Sequence, residues 1–249
     1  MATIINNSKF HIEAPVSEVF FSYQGEGPHT GMPQIFVRFA GCNIRCAYCD
    51  TAYALKASSK TPSLSATLLI ENVKKLATKH KKEFIFGKPS VSITGGEPLV
   101  YADFLSEFLP KLKKSGFSVY LETNGTLPDG FEKVKTFCDI VSMDFKFASE
   151  CGKSFWKEHK MFLSAAVKTK AEVFVKAVIT SKTKLSDIKK SASLIRSAAP
   201  RKNIPFILQP SAGISEPRPD LIYAAYREAS GLLKDARVMF QMHKILKIK

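Results

Sequence analysis

Three closely spaced cysteines are the feature that most constrains what this chain can fold into. Cys42, Cys46 and Cys49 form a C-x3-C-x2-C pattern directly after an apolar run that predicts a buried strand. Three thiolates on one loop can bind three irons of a [4Fe–4S] cluster, which leaves the fourth iron open for chemistry. Structural zinc sites usually have four ligands, and neither Cys138 nor Cys151 forms a second C-x2-C pair. The spacing favours a cluster over a partial zinc site or a chance grouping.

Composition sets broad limits on compartment and partners. The chain has 249 residues, enough for one α/β domain, and its five cysteines fit a reducing compartment better than a disulfide scaffold. No apolar stretch reaches transmembrane length, so we predict a cytoplasmic protein without membrane partners. The net charge of +15 permits a nucleic-acid hypothesis, but the lysines are spread over predicted helices without an aromatic-interleaved motif. Nucleic acid is therefore a disfavoured partner.

Strand-like and helix-like segments alternate along the chain. Apolar β-type runs lie at 34–40, 90–94, 117–122, 139–145, 173–180 and 204–209. Helical periodicity fills the gaps, with Gly116 predicted to end one helix and Ser186 predicted to cap the start of another. Strands that are apolar on both faces predict a parallel sheet covered by helices. Six such units are too few for a closed eightfold barrel, so the sequence predicts an α/β fold with an incomplete (β/α)6 TIM-like barrel.

Polar motifs follow the predicted strands at the point where each strand ends. They are T-G-G-E-P at 94–98, E-T-N-G-T at 122–126, S-M-D-F-K at 142–146 and Q-P at 209–210. A glycine pair lets the backbone approach a ligand closely, although a simple strand-to-helix turn would also explain it. Because barrel strands carry their functional groups at their C-terminal ends, we expect these motifs to surround the cysteine loop.

The cysteine triad followed by G-G-E-P resembles the radical SAM superfamily. The resemblance implies a partial barrel of the radical SAM type and a [4Fe–4S] cluster held by catalytic Cys42, Cys46 and Cys49. In that superfamily the open iron binds S-adenosylmethionine (SAM), and one electron cleaves SAM to methionine and a 5′-deoxyadenosyl radical. The predicted SAM-binding residues are Tyr48, Cys49, Asp50, Gly95, Gly96, Glu97, Glu122, Asn124, Ser142, Met143, Asp144, Lys146 and Gln209.

Further motifs narrow the resemblance. F-x-S-x-Q-G-E-G at 20–27, G-x-P at 31–33, F-V-R-x-x-G-C-N at 36–43, C-D-T at 49–51 and Q-M-H-K at 241–244 are together similar to the 7-carboxy-7-deazaguanine synthases of queuosine biosynthesis. They are scattered over nearly the whole chain. The resemblance implies a carbon–nitrogen lyase that converts 6-carboxy-5,6,7,8-tetrahydropterin to 7-carboxy-7-deazaguanine with loss of ammonia. It also implies Mg²⁺ as a cofactor, an electron donor such as flavodoxin or ferredoxin, and a homodimer.

The same resemblance assigns roles to individual residues. The hydroxyl of Thr51 is the implied Mg²⁺ ligand. Arg38 offers a planar fork suited to a carboxylate, although a buried arginine could instead pair with an internal acid. The chain's terminal carboxylate, on Lys249, is expected to reach the substrate beside His243. The full predicted substrate-binding set is Tyr23, Gln24, Gly25, Glu26, Arg38, Thr94, His243 and Lys249.

We expect one domain over 1–249. Residues 1–33 form a substrate-binding N-terminal segment, 34–210 the partial barrel, and 211–249 a helix and a strand that close the substrate site. The segment 237–243 is strand-like.

Several alternatives remain open from the sequence. Met143 and Asp144 depart from the Ser-Pro-Lys pattern of many relatives, which suggests as an alternative an activase that makes a glycyl radical on a partner protein. Glu122, Thr123 and Asp144 could surround a monovalent cation, or they could make ordinary loop hydrogen bonds. A basic Fe–S or zinc protein that binds RNA is the alternative without enzyme activity.

Overall fold

A computed structural model describes residues 12–85 and 87–248, and the predicted role of Lys249 lies outside this range. The strands are β1 Glu13–Tyr23, β2 Pro33–Phe39, β3 Ser63–Ser65, β4 Ser90–Gly95, β5 Ser118–Thr123, β6 Ile140–Phe145, β7 Glu172–Ile179, β8 Phe206–Pro210 and β9 Ala236–Val238. They form one sheet in the order β3-β1-β2-β4-β5-β6-β7-β8-β9. Neighbours from β2 to β9 pair in parallel, whereas β1 pairs antiparallel with both β2 and β3.

Most of the helices cover the outer face of this sheet. They are α1 Ala66–Lys79, α2 Ala102–Lys114, α3 Pro128–Val134, α4 Ala148–Cys151, α5 Trp156–Ala166, α6 Leu185–Ala198, α7 Pro219–Ser230 and α8 Met242–Leu246. In α1 the buried side chains Ala66, Leu69, Ile70 and Val73 recur at helical spacing and pack into the main core. Within residues 12–85 and 87–248, no helix has the length and hydropathy needed to cross a membrane.

The prediction of an incomplete parallel barrel is confirmed. The six predicted strands correspond to β2, β4, β5, β6, β7 and β8, and the sheet is open because β3 and β9 lie at separate edges. The helix end at Gly116 is also confirmed, since α2 stops two residues earlier and Gly116 has a φ of +89°. The N-cap at Ser186 is wrong. Helix α6 begins at Leu185 after Lys184, so Ser186 lies inside its first turn.

Two elements differ from the sequence interpretation. The residues before Tyr23 form β1, a long strand that pairs with β2, with an irregularity in register between Val16 and Glu18. This irregularity interrupts the alternation that would have marked a strand. The strand-like character of 237–243 is wrong beyond Val238, because the chain leaves the sheet there and α8 begins at Met242.

The barrel interior changes from apolar to polar along three of its strands, β5, β7 and β8. Tyr120, Phe174 and Ile207 pack together inside the barrel. Two residues further along the same strands, Glu122, Lys176 and Gln209 line a cavity. Side chains two apart on a strand share a face, so this step places a polar layer directly above an apolar one. The polar layer is the one nearer the C-terminal ends of the strands.

Candidate active site

A cavity of about 390 Å³ opens at the C-terminal ends of the strands. Its lining includes most of the predicted site residues: Tyr23, Gln24, Gly25, Glu26, Arg38, Cys42, Cys46, Tyr48, Cys49, Asp50, Thr51, Thr94, Gly95, Gly96, Glu97, Glu122, Asn124, Asp144, Lys146, Gln209 and His243. Segments from both ends of the chain and from every central strand therefore meet at one site.

The cysteine loop packs tightly on the glycine pair that follows β4. The amide of Glu97 donates to the Gly41 carbonyl at 2.8 Å. A Cβ on Gly96 would lie 2.2 Å from the Gly41 carbonyl oxygen and 2.8 Å from Cβ of Cys42. Only glycine permits this approach, so the pair serves to hold the cysteine loop against the sheet.

A second connection ties the cysteine loop to the segment after β5. The Asn124 side chain donates to Oδ1 of Asn43 at 2.9 Å, and Nδ2 of Asn43 donates to the Thr126 hydroxyl at 2.8 Å. Oδ1 of Asn124 in turn accepts from the Thr126 amide and hydroxyl. The three side chains form a closed network that fixes the loop between Cys42 and Cys46.

Glu97 is buried and anchors the end of β5. Its carboxylate accepts from the Leu99 amide at 3.0 Å, the Thr123 hydroxyl at 2.8 Å and the Asn124 amide at 2.7 Å. Burial raises the pKa of Glu97 from 4.5 to about 7, and the hydrogen bonds from the Asn124 and Leu99 amides offset only part of that rise. The side chain therefore holds two loops together, while the backbone around it faces the cavity.

Gln24, which is buried, and Glu122, which is partly buried, form a hydrogen-bonded pair in the cavity lining. Nε2 of Gln24 donates to Glu122 at 2.9 Å and to Gln34 at 3.2 Å, and its Oε1 accepts from the Glu26 amide at 3.0 Å. Glu122 also accepts from the hydroxyls of Ser92 at 2.9 Å and Thr94 at 2.8 Å. Gln24 thus has both donors engaged within the protein, whereas the Glu122 carboxylate retains acceptor capacity.

Glu26 is held by three residues from distant parts of the chain. Its carboxylate accepts from Nζ of Lys176, from Gln209 at 3.1 Å and from Gln241 at 2.7 Å. Burial alone would raise its pKa, but Lys176 and the hydrogen bond from Gln241 lower the pKa of Glu26 from 4.5 to about 2. The same contact and Asp144 keep the pKa of Lys176 above its ordinary value despite burial. Glu26 is therefore a fixed carboxylate at neutral pH.

The interactions of Glu26 should make the free energy of unfolding depend on pH in the acid range. The folded-state pKa lies below the ordinary value of 4.5, so this stabilisation is complete above about pH 4.5 and is lost as pH falls toward 2. The advantage of the parent over Glu26→Gln should then shrink by up to about 3 kcal/mol across that window. Urea unfolding of both proteins from neutral pH downward measures it. Parallel stability curves would contradict the ion pair.

Asp144 and Lys146 form the wall next to the cysteines. Lys146 Nζ lies 3.2 Å from Oδ2 of Asp144 and 5.3 Å from the centre of the Tyr48 ring. Oδ2 of Asp144 is also 3.7 Å from Nζ of Lys176. Oδ1 of Asp144 and Oε1 of Gln209 are buried without a hydrogen-bond partner in the described part of the chain. Both atoms are acceptors suited to N–H or O–H groups of a ligand in this cavity.

Arg38 has an internal partner. Its Nε donates to Glu18 at 2.8 Å, and its guanidinium carbon lies 5.6 Å from the centre of the Phe20 ring. The Tyr53 hydroxyl donates to the same Glu18 oxygen at 2.6 Å. Of the two expectations for Arg38, pairing with an internal acid is confirmed, since Glu18 lies on β1. Arg38 also lines the cavity, and binding of a substrate carboxylate stays a prediction.

The C-terminal segment contributes Gln241, His243 and Lys244 to the cavity lining. The Met242 amide donates to the Gly25 carbonyl at 2.9 Å, and a Cβ on Gly25 would lie 2.2 Å from Nδ1 of His243. Lys244 lies 3.2 Å from Asp50, whose Oδ1 accepts from the Thr51 hydroxyl at 2.9 Å. Helix α8 therefore docks on the Q-G-E segment and on the residues that follow the cysteines.

Two predicted SAM-binding side chains do not line the cavity. Met143 is fully buried in the main core, so its side chain does not reach the cavity and its predicted role in SAM binding stays a prediction. Ser142 is buried in the barrel interior, one layer below the cavity, where its side chain forms a hydrogen bond with Tyr120. The alternation of β6 explains both placements, since Asp144 is the residue of this strand that reaches the upper layer.

Comparisons with known proteins agree with this geometry. The Radical SAM superfamily model matches residues 36–189. The 7-carboxy-7-deazaguanine synthase of Geobacter sulfurreducens is 33% identical over 247 residues, covering 94% of this chain and 97% of the relative. The synthase of Methanopyrus kandleri is 35% identical over 245 residues, covering 93% and 92%. The crystal structure of QueE from Escherichia coli shares the fold with a TM-score of 0.59 at 23% identity, covering 94% and 96%.

The chain belongs to the 7-carboxy-7-deazaguanine synthase family of radical SAM enzymes. The predicted family and enzyme class are thereby confirmed, and the [4Fe–4S] cluster and SAM follow as cofactors of the superfamily. Family membership favours the synthase over the glycyl-radical activase and the RNA-binding alternatives.

The residues present fit the cofactors of this family. Three thiols share one cavity with the buried acceptor atoms of Asp144 and Gln209. No group of three His, Cys, Asp or Glu side chains within 12–85 and 87–248 is gathered closely enough to hold a single metal ion. A cluster binds its thiolates through different irons, so the three sulfurs need not converge on one point.

Sequence reasoning missed several polar residues of this synthase-family site, among them three that carry charge or an amide. Lys176, Gln241 and Lys244 all line the cavity. Lys176 is the lone charged residue inside the apolar run V-F-V-K-A-V-I, and this isolation was the available signal. Gln241 and Lys244 belong to the Q-M-H-K motif, of which only His243 was a predicted site residue.

Proposed function

We propose that this chain converts 6-carboxy-5,6,7,8-tetrahydropterin to 7-carboxy-7-deazaguanine, with loss of ammonia, for queuosine biosynthesis. The proposal depends on one observation: the cysteine loop shares a cavity with acids and amides from the segment after β1, from β5 and from the C-terminal segment. The cluster and SAM, held at the cysteine loop, would supply the radical chemistry needed to remove a hydrogen atom from the substrate. The remaining work of binding and orienting falls to the chain itself.

The proposed cofactor side of the cavity is the cysteine loop with the segments that hold it. Cys42, Cys46 and Cys49 would ligate three irons. The backbone at Gly95 and Gly96 and the acceptor of Asp144 would hold the polar groups of SAM. This division is supported by the hydrogen bonds of Asn43 and Asn124, which fix the loop relative to the strand ends.

The proposed substrate side is the wall around Glu26 and Glu122. A carboxylate accepts hydrogen bonds from the guanidine-like edge of a pterin, and both acids are oriented by protein donors before any substrate arrives. Gln24 is proposed to position Glu122, because its own donors are engaged by Glu122 and Gln34. Arg38 is proposed to bind the substrate carboxylate, and His243 to cover the ring from α8.

Several further assignments are part of the same proposal. Thr51 would contribute a neutral oxygen to Mg²⁺, which prefers oxygen ligands and retains several waters. The electron donor would be a flavodoxin or a ferredoxin, the functional unit a homodimer, and the compartment the cytoplasm.

Product formation tests this function directly. The chain is reconstituted anaerobically, and SAM cleavage is measured with and without 6-carboxy-5,6,7,8-tetrahydropterin. We expect stoichiometric 5′-deoxyadenosine and a product with the mass and ultraviolet spectrum of 7-carboxy-7-deazaguanine only when the pterin is present. SAM cleavage without conversion of the pterin would exclude the proposed substrate while leaving the radical SAM assignment intact.

The proposed metal role of Thr51 has its own test. Thr51→Ala should leave SAM binding nearly unchanged and should raise the Mg²⁺ concentration needed for half-maximal activity by about tenfold, because one neutral ligand of a hydrated ion is lost. Thr51→Ser, which keeps the hydroxyl, is the matched control. An identical Mg²⁺ titration for the parent and Thr51→Ala would remove Thr51 from the metal site.

A further inference from the structure

A fourth thiol lies against the cysteine loop. Sγ of Cys151, at the end of α4, is 3.2 Å from Sγ of Cys46, although 105 positions separate the two residues in sequence. No other pair among the five cysteines, all of which lie in the described range, is in such contact. Cys151 lies outside the sequence motifs described above, and the proposed reaction does not use it.

A backbone hydrogen bond holds the segments that carry these two thiols next to each other. The Ala47 amide, next to Cys46, donates to the carbonyl of Glu150, next to Cys151, at 3.0 Å. The Glu150 side chain accepts from the Thr180 hydroxyl at 2.6 Å, which fastens α4 to the end of β7. Both cysteines are partly exposed residues, so we expect a small oxidant to reach them. A disulfide needs a sulfur–sulfur distance of about 2.05 Å, which side-chain rotation and a small shift from this contact can supply.

We propose that Cys46 and Cys151 form a reversible disulfide when the chain lacks its cluster and meets hydrogen peroxide. Each thiol gives up its proton, the S–S bond forms as the O–O bond of peroxide breaks, and two waters leave. The two sulfurs lose two electrons and peroxide gains them. The step needs no group beyond the peroxide.

The consequence concerns the fate of the cluster ligand. A thiol oxidised alone proceeds from sulfenic to sulfinic acid, which is irreversible without a dedicated repair enzyme, whereas a neighbouring thiol captures the sulfenic stage as a disulfide that dithiols reduce. Cys151 would therefore preserve Cys46 for later cluster assembly. This inference relies on the proposed function only for the role of Cys46 as an iron ligand.

The test uses the full-length chain, purified anaerobically and stripped of metal with a chelator. Peroxide is added, remaining thiols are alkylated, and peptides are mapped without reduction. A second portion is treated with peroxide, reduced with dithiothreitol and reconstituted with iron and sulfide, and its iron content is measured. The proteins compared are the parent, Cys151→Ser, and Cys138→Ser as the matched control, since Cys138 is buried beside Val134 away from the loop.

In the parent and in Cys138→Ser we expect a peptide that joins residues 46 and 151, and nearly full recovery of iron after reduction. Cys151→Ser should bind iron normally before peroxide but recover several-fold less afterwards, with sulfinic acid on Cys46. The inference is overturned if Cys46 is joined to Cys42 or Cys49 instead, or if Cys151→Ser recovers as fully as the parent. Failure of the untreated parent to bind a cluster would instead count against the proposed function.

Discussion

Cys49→Ala is expected to abolish reductive cleavage of SAM, with no 5′-deoxyadenosine above background. Cys42, Cys46 and Cys49 line one cavity, and each is proposed to hold a different iron. The remaining thiol near the loop, Cys151, lies against Cys46 rather than Cys49 and provides no replacement ligand there. Without Cys49, two irons of the cluster would lack a cysteine ligand, so we expect the cluster to be lost or to convert to a cluster with fewer irons.

Iron and sulfide content, the charge-transfer absorption of the cluster and SAM cleavage are measured after anaerobic reconstitution. Cys138→Ala is the matched control, because this buried thiol lies outside the loop and should retain iron content and activity. Full iron content and parental SAM cleavage in Cys49→Ala would show that the triad is not the cluster site.

Lys176→Met is expected to produce the second large effect. Lys176 is almost fully buried and pairs with Glu26, and it lies 3.7 Å from Asp144. Removing one member of a buried ion pair leaves an uncompensated charge and typically costs about 3–5 kcal/mol of unfolding free energy. The carboxylate of Glu26 would then be free to protonate or to turn away, so kcat/KM for the pterin should fall sharply while SAM binding persists.

A double variant separates stability from recognition. Glu26→Gln combined with Lys176→Met removes both charges and should recover much of the lost stability, but it should not recover kcat/KM. Replacement of the exposed Lys88 by Met is the matched control and should change neither quantity. Urea unfolding and steady-state kinetics are measured for each variant. If Lys176→Met has the same unfolding free energy and the same kcat/KM as the parent, Glu26 needs no buried cation.

The local pattern of apolar residues was sufficient to predict the repeated strand–helix units of the fold. Strands buried on both faces appear as continuous apolar runs, and six of them predicted β2 and β4 to β8. Parallel strands bring their carboxyl ends to one side, which is why the cysteine loop, G-G-E-P and E-T-N-G-T could be expected to meet. Strand β1 has an irregular register, which interrupts the pattern typical of a strand. The sequence therefore indicated a motif in this segment but no strand.

The sequence by itself determined the barrel, the cofactor class and the set of segments around the site, because each follows from spacing along a few residues. Only the tertiary structure decided which residues act in concert. Lys176 meets Glu26 across 150 positions, and Cys151 meets Cys46 across 105. It also decided that Asp144 reaches the cavity while Ser142 lies a layer below. A buried charge is tolerated only beside its partner, and no local pattern reveals a partner that another strand supplies.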